Sequence, residues 1–335
     1  MSTERIARAE STSGRRHTEG AAVTRIPNLP TWALLGGLIV IDVGLQPGLL
    51  SLVQVGYFVQ GAFTIVLVAA AQTFAIMVRG LDLSVAGTMA LGNVLAASWL
   101  GSAGLGHIWS VPVILLIGAA IGGFNGLLIA YASVQPVMAT LASWTAVGGF
   151  ALLVMPVPGG AVPPGFTAMF TTDLLGIPAS FLWLGGLILL WRVLYRSRLG
   201  LWLRAVGGDD RRAALNGVPV RSIVLLAYTL SGLLAAAAGL YLAATTSGGD
   251  ATIGYAYLLP SIAAVVVGGT ALSGGKGGIG LTVAGAFVLS VLADIITASA
   301  FAPNVAIVAS SALLLAVVGM RQFAERRKGY RSWRT

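Results

Sequence analysis

Long apolar segments follow one another through most of this 335-residue chain, and they restrict its fold more than any other feature. A helix needs about 20 apolar residues to cross the hydrocarbon core of a bilayer. The sequence therefore predicts an all-α, polytopic membrane bundle of about ten transmembrane helices. The ten candidate segments are 32–46, 58–78, 84–101, 110–131, 137–155, 174–194, 222–244, 257–272, 278–297 and 304–320. Residues 47–57 are expected to lie along the membrane interface.

Composition agrees with this assignment. Hydrophobic residues make up 57% of the chain and charged residues only 9%, against about 25% charged residues in soluble domains. This number of charged residues is too small to cover a water-facing surface. Lipid must therefore be the solvent for most of the chain. The 45 glycines fit the same picture, since small residues let membrane helices approach closely.

The basic residues indicate how the chain is threaded. No Lys or Arg lies between Arg79 and Arg192, and Lys276 is the only one in residues 222–320. With the amino terminus inside and ten spans, every basic group from Arg79 onward falls on one side, which is the cytoplasmic side by the positive-inside rule. We therefore expect both termini in the cytoplasm. The basic residues also need no nucleic acid to explain them.

The same reasoning divides the chain into parts. Residues 1–31 are polar and are expected to form a disordered cytoplasmic tail. Residues 32–320 are expected to form the transmembrane domain, which includes a short cytoplasmic helix at 204–218. Residues 321–335 form a basic cytoplasmic tail.

A helix break inside the membrane is predicted at residues 80–84. Gly80 interrupts the helix before it, and Asp82 or Ser84 can cap the helix that follows. Such a break persists in a bilayer only where protein or a water-filled cavity satisfies the backbone. The polar residues of this region line a translocation path or, alternatively, only stabilise the bend and bond neighbouring helices. The path candidates are Asp82, Ser84, Asn93, Asn125 and Thr140.

The basic loop between Arg192 and Arg221 contains a second signal. Asp209 or Asp210 can cap a short helix that Gly217 and Pro219 end. A short helix on the cytoplasmic face is suited to docking in the groove of another protein. The alternative, a plain positive-inside anchor, explains the arginines but not the capped helix.

Catalytic groups are scarce. The sequence has no cysteine, and its two histidines are His17, in the tail, and His107, in an outer loop. The glycines around Lys276 lack the spacing of a phosphate-binding loop. We therefore expect no enzyme activity, no metal and no bound cofactor, with any ATP bound by a partner subunit.

Three stretches together resemble the permease subunits of bacterial ABC importers of the ribose/xylose/galactose class. They are Gly80–Ser84, Ala205–Gly217 and Ala263–Gly277. The second corresponds to the segment that meets the ATPase in that family. Departures at 134–141 and 210–212 leave the exact sugar and the exact ATPase open.

The resemblance implies a set of partners. Two permease subunits, identical or paired with a relative, would form the pore in the bacterial inner membrane. A cytoplasmic ATPase pair would drive it, and an extracytoplasmic binding protein would deliver a monosaccharide. The residues implied in ATPase coupling are Gly207, Gly208, Asp209, Asp210, Ala213, Leu215 and Gly217.

Other functions remain open from the sequence. A permease for branched-chain amino acids or for a signalling sugar is the nearest alternative. An ion-coupled secondary transporter would need no ATPase, although buried ionisable groups are few. An internal echo between Val78–Ser84 and Val267–Ser273 is consistent with the repeats found in many transporters.

Overall fold

The computed structural model describes residues 29–100, 109–298 and Gly319. Within these ranges every regular element is helical, and the only β-type pairs are isolated bridges. The helices are α1 (Leu29–Leu45), α2 (Leu52–Met77), α3 (Ser84–Trp99), α4 (Ser110–Ala130), α5 (Pro136–Val154), α6 (Pro164–Thr171), α7 (Ala179–Arg196), α8 (Arg198–Gly208), α9 (Asp210–Leu215), α10 (Val220–Thr246), α11 (Gly254–Gly268) and α12 (Ile279–Ala298).

The all-α membrane fold is confirmed. In the described part of the chain, six helices, namely α2, α4, α5, α7, α10 and α12, are long and apolar enough to cross a bilayer, and α1 and α11 are shorter apolar helices. The protein is therefore a polytopic membrane protein. Nine of the ten predicted segments overlap a helix. The tenth, 304–320, lies outside the described residues apart from Gly319.

Two boundaries differ from the prediction. Residues 52–57, expected in an interfacial segment, instead form the first turns of α2, where Ser51 Oγ accepts a hydrogen bond from the Gln54 N–H at 3.3 Å. Only the 3-10 turn Pro47–Leu50 separates α1 from α2. Similarly, α7 begins at Ala179 rather than at 174. A capping side chain fixes the start of α2, and a proline precedes the start of α7. Hydropathy alone detects neither signal.

Helix α10 lies at the centre of the bundle and packs against α2, α3 and α4. Its contacts with α3 and α4 bring backbone against backbone. A Cβ atom on Gly122 of α4 would lie 2.1 Å from the Tyr228 carbonyl oxygen, and one on Gly239 would lie 2.2 Å from the Met89 carbonyl oxygen. The glycine-rich composition therefore serves close helix crossings, as expected for packing in lipid.

Helices α2 and α11 end in the same way. The N–H of Gly80 donates to the Ala75 carbonyl at 2.9 Å, and that of Thr270 donates to the Val265 carbonyl at 3.1 Å. The left-handed residue of each cap is Arg79 (φ 64) and Gly269 (φ 113) respectively. The structural comparison therefore pairs Arg79 with Gly269, whereas the sequence echo pairs Gly80 with Gly269. The two alignments differ by one residue.

A bulky residue at the α4–α10 crossing is expected to destabilise the bundle. In Gly122→Leu the new Cβ would have to displace the backbone of α10, and overpacking of this kind costs about 1–3 kcal/mol. The melting temperature of detergent-solubilised protein should fall clearly. Gly149→Leu is the matched control, because a Cβ there meets no atom within 4 Å. Equal melting of the two variants would contradict the packing described.

Candidate translocation path and coupling surface

A buried carboxylate organises the break between α2 and α3. Asp82 is 0% exposed. Its Oδ1 accepts hydrogen bonds from the Ser84 N–H at 3.0 Å and from the Ser84 hydroxyl at 2.5 Å. Its Oδ2 accepts one from the hydroxyl of Ser231 on α10 at 2.7 Å. Asp82 thus satisfies the start of α3, as predicted for a cap, and also joins it to the central helix.

The cluster extends to three more helices. Asn125 of α4 donates to the Ser84 hydroxyl at 2.8 Å and accepts from Ser143 of α5. The Thr140 hydroxyl of α5 donates to the Pro136 carbonyl of its own helix at 2.9 Å and shares that proton with the Leu81 carbonyl at 3.3 Å. Gln72 of α2 donates to the Asp82 carbonyl at 2.7 Å. Four of the five predicted path residues, Asp82, Ser84, Asn125 and Thr140, therefore lie in one cluster.

The structure adds members that the sequence did not single out as site residues. Gln72, Ser143 and Ser231 belong to the cluster. Serines are common in membrane helices, so nothing in the sequence marked Ser143 or Ser231. In this conformation the cluster is closed, since Asp82, Ser84, Asn125 and Thr140 are fully buried. A solute could reach these side chains only after the helices separate.

Asn93, the fifth candidate, lies apart at the other end of α3. Its Nδ2 donates to the Gly239 carbonyl at 3.3 Å, and its Oδ1 accepts from the Asp250 N–H at 2.8 Å. It lines a cavity of about 380 Å³. The other lining residues are Pro158, Gly159, Gly160, Leu242, Thr246, Gly248, Gly249, Asp250 and Ile253.

The loop between α5 and α6 and the loop between α10 and α11 meet at this cavity. Gly159 and Gly249 exchange a pair of backbone hydrogen bonds of 2.9 and 2.8 Å. The N–H of Ala161 donates to the Ala97 carbonyl at 3.2 Å, which ties the first loop to α3. The cavity wall is mainly apolar, and its polar side chains are those of Asn93, Thr246 and Asp250.

The predicted coupling segment consists of two helices rather than one. Residues 204–208 form the last turns of α8, which begins at Arg198, and α9 starts after Asp209. Asp209 caps α9, because its Oδ1 accepts from the Arg212 N–H at 2.9 Å. That hydrogen bond, with the nearby guanidinium of Arg212, holds the pKa of the Asp209 carboxyl below its ordinary value. Gly217, with φ of 76°, follows the end of α9.

The predicted coupling residues divide into inward and outward groups. A Cβ on Gly207 would lie 1.8 Å from the Met77 carbonyl oxygen, whereas one on Gly208 would meet nothing within 4 Å. Ala213 is buried, and Leu215 is 88% exposed. Asp210 is exposed and pairs with Arg79 at 3.6 Å. The surface thus presents an apolar side chain to its surroundings while its inner face is fixed on the bundle.

The site and the fold are those expected of a membrane permease. No group of three or more His, Cys, Asp or Glu able to hold a metal occurs in the described ranges. The family described as the permease component of branched-chain amino acid transport systems matches residues 55–318. The chain belongs to this family, which is a class of transporters and not of enzymes.

Relatives within the family agree. The ribose import permease of Escherichia coli is 34% identical over 294 residues, covering 84% of this chain and 89% of the relative. The galactofuranose transporter permease of the same organism is 35% identical over 282 residues, 81% of each chain. The autoinducer 2 import permease of Yersinia enterocolitica is 30% identical over 261 residues, 74% and 78% of the two chains. No solved structure matches the chain significantly.

Removing the central carboxylate is expected to destabilise the fold. Asp82→Ala leaves the donors of Ser84 and Ser231 without their acceptor, at a cost of about 1–3 kcal/mol for each buried group left unpaired. Asp82→Asn keeps one acceptor oxygen and should melt between the wild type and Asp82→Ala. Thermal melting in detergent measures both. Asp173→Ala, at an exposed aspartate, is the control, and melting of Asp82→Ala at the control temperature would refute this role.

Proposed function

We propose that this chain is the transmembrane permease subunit of an ATP-binding-cassette importer that carries a monosaccharide across the bacterial inner membrane. The names of the relatives support the substrate class, since two of those described above import ribose or transport galactofuranose. The observation that carries the proposal is the pairing of the cavity beside Asn93 with a docking helix at opposite ends of α10. This helix has 27 residues and is about 40 Å long.

The cavity beside Asn93 suits a neutral, hydroxylated solute. Its walls contain one amide side chain, one hydroxyl and a single carboxylate, with no Lys or Arg among the lining residues. A sugar needs such donors and acceptors and no ion pair. An amino acid would present a carboxylate that is best bound by a cation or a helix N-terminus. The lining offers no cation, although the start of α11 at Ile253 borders the cavity.

We infer a path that runs along α3 from the cavity to the buried cluster. Asn93 and Ser84 are nine residues apart on this helix, which corresponds to about 14 Å. Between them lies Thr88, whose buried hydroxyl has no hydrogen-bond partner in the part of the chain that the structure describes. Ser84 and Thr88, four residues apart, share one face of α3, whereas Asn93 lies on the opposite face, so the inferred path passes around this helix. Asp82, Asn125 and Thr140 would become accessible to the solute when the cluster opens.

The α8–α9 pair is proposed as the docking surface for a cytoplasmic ATPase. An 88% exposed leucine at the end of α9 is suited to a groove on another protein. Gly208, Asp210 and Gly217 are exposed beside it. A second permease subunit and an external binding protein complete the assembly implied by the family.

The threading of the chain follows from the same surface. Arg79, α8–α9 and the loop of Lys276 lie together, as the hydrogen bond from the Gly275 N–H to the Met77 carbonyl shows. If this side is cytoplasmic, the cavity loops are external and ten spans place both termini inside.

Uptake in proteoliposomes tests the function. The permease, reconstituted with the ATPase and the binding protein encoded beside it, is expected to accumulate labelled ribose or a related monosaccharide only when ATP is supplied. Competition with unlabelled galactose, leucine and autoinducer 2 sorts the substrate classes. Preferred uptake of leucine would refute the sugar assignment, and ion-driven uptake by the chain alone would refute the ATP-driven mechanism.

Cysteine labelling tests the threading, and the absence of native cysteine makes each label specific. Leu175→Cys, in the loop before α7, should react with a membrane-impermeant maleimide in intact cells. Arg211→Cys, on α9, should react only in inside-out vesicles. Both positions are exposed, so accessibility within the protein does not differ. The opposite pattern would reverse the topology.

A charge at the docking surface is expected to release the ATPase. Leu215→Asp should reduce ATPase copurification and ATP-driven uptake by about tenfold, since an exposed apolar anchor contributes about 1–2 kcal/mol or more to such contacts. The melting temperature of the permease should stay unchanged, because Leu215 packs on little of this chain. Leu175→Asp, at a 96% exposed leucine in a different loop, is the matched control. Full ATPase retention by Leu215→Asp would exclude α9 as the docking helix.

A further inference from the structure

Arg79 occupies a backbone position that favours glycine. It follows α2 directly and has φ of 64°, in the left-handed region that residues with a Cβ rarely adopt. The corresponding residue at the end of α11 is Gly269. An arginine in this strained conformation indicates that its side chain has a function. The surrounding structure must stabilise the strained backbone.

The side chain of Arg79 caps a helix other than its own. Its Nε donates to the Gly207 carbonyl at 2.8 Å, and its Nη2 donates to the Gly208 carbonyl. These two residues end α8, so their carbonyls lack partners within the helix and form the negative end of its dipole. A forked guanidinium is suited to this double acceptor.

The same guanidinium also contacts α9. Its Nη1 lies 3.6 Å from Asp210 Oδ1, with both side chains substantially exposed. Exposed ion pairs contribute little, so the two hydrogen bonds to the end of α8 are the firmer connection. Among the described residues, no other side chain hydrogen-bonds α8 or α9 to the segment between α2 and α3.

On its other side, Arg79 is joined by a very short backbone to the buried cluster. Gly80 leaves no room for a side chain, since a Cβ there would lie 2.0 Å from the Tyr228 hydroxyl oxygen. Leu81 accepts the hydrogen bond of Thr140, and Asp82 follows at once. A displacement of Arg79 therefore reaches the cluster through three tightly held residues.

Packing alone provides a different kind of connection. The contact of Gly207 with the Met77 carbonyl resists compression, because close-packed atoms repel, but it resists separation only weakly. Directional hydrogen bonds resist pulling and twisting as well. Arg79 thus supplies the resistance to separation that the contact of Gly207 with the Met77 carbonyl lacks.

We propose that Arg79 is the positioning residue that transmits movement of α8–α9 to the helix break at Asp82, in both the push and the pull directions. The proposal rests on the proposed ATP-driven function for the source of that movement. The structure itself supplies the connection from the docking helices, through one side chain, to the cluster that must open.

Arg79→Gly tests the proposal without threatening the fold. Glycine adopts φ of 64° readily, which offsets part of the loss of the two hydrogen bonds to α8, so the variant should still fold and melt close to the wild-type temperature. It should retain the ATPase, because α9 and its exposed leucine are intact. The sugar imported per ATP hydrolysed should fall about tenfold, within the ordinary range of coupling between sites.

Two further variants separate the effect of the Arg79 hydrogen bonds from the effect of positive charge. Arg79→Lys keeps the charge but has no fork to reach both carbonyls, so its uptake per ATP should fall between wild type and Arg79→Gly. Lys276→Gln removes a neighbouring exposed cation and should transport normally. An unchanged ratio in Arg79→Gly would overturn the proposal, as would a parallel loss of ATP hydrolysis and uptake, which would place Arg79 in docking.

A spin label on Arg211→Cys reports the connection without any ATPase. In detergent, the label on α9 should become more mobile when Arg79→Gly is added, and unchanged mobility would overturn the proposal. Wild-type protein that imports sugar without ATP would refute the proposed function instead, and the label would still decide whether Arg79 holds α8–α9.

Discussion

The break between α2 and α3 leaves backbone groups buried in the bundle away from water, and the answer to that constraint organises this protein. Asp82 accepts three hydrogen bonds at the break, from Ser84 and Ser231, and Gln72 bonds its carbonyl. These partners lie on three helices, and Asn125 and Ser143 extend the network to two more. A satisfied polar network of this kind is rigid, so the bundle has a defined closed state from which an opening movement can start.

The cluster lies between two surfaces of different chemistry. The cavity near Asn93 is uncharged except for Asp250 and is bordered by the Gly159–Gly249 backbone pair. The α8–α9 surface is charged, with an exposed Leu215 at its end. Helix α10 connects both ends and crosses its neighbours at glycine contacts such as Gly122 and Gly239. Backbone-to-backbone packing leaves little free space between the helices. We therefore expect a movement at one end of α10 to be transmitted to its other end.

Particular residues show how far the sequence could be used. The break at Gly80–Ser84 and the Asp209 cap were predicted, because capping residues act on neighbours in sequence. The gathering of Asp82 with Asn125 and Thr140 followed only from helix packing, since these residues are 43 and 58 positions away from it along the chain. Arg79 was counted merely as a topology signal, because its backbone angle and its carbonyl partners on α8 have no local signature.

The sequence by itself determined that this chain dissolves in lipid as a helical bundle, and its short motifs indicated a transport permease. Hydropathy and capping are local properties, so they can be read from neighbouring residues. Tertiary structure alone decided which polar groups meet, which side of the docking surface faces outward, and that Arg79 joins α8 to the break. Those outcomes depend on helix crossings, where distances between residues remote in sequence are set by the packing of many side chains at once.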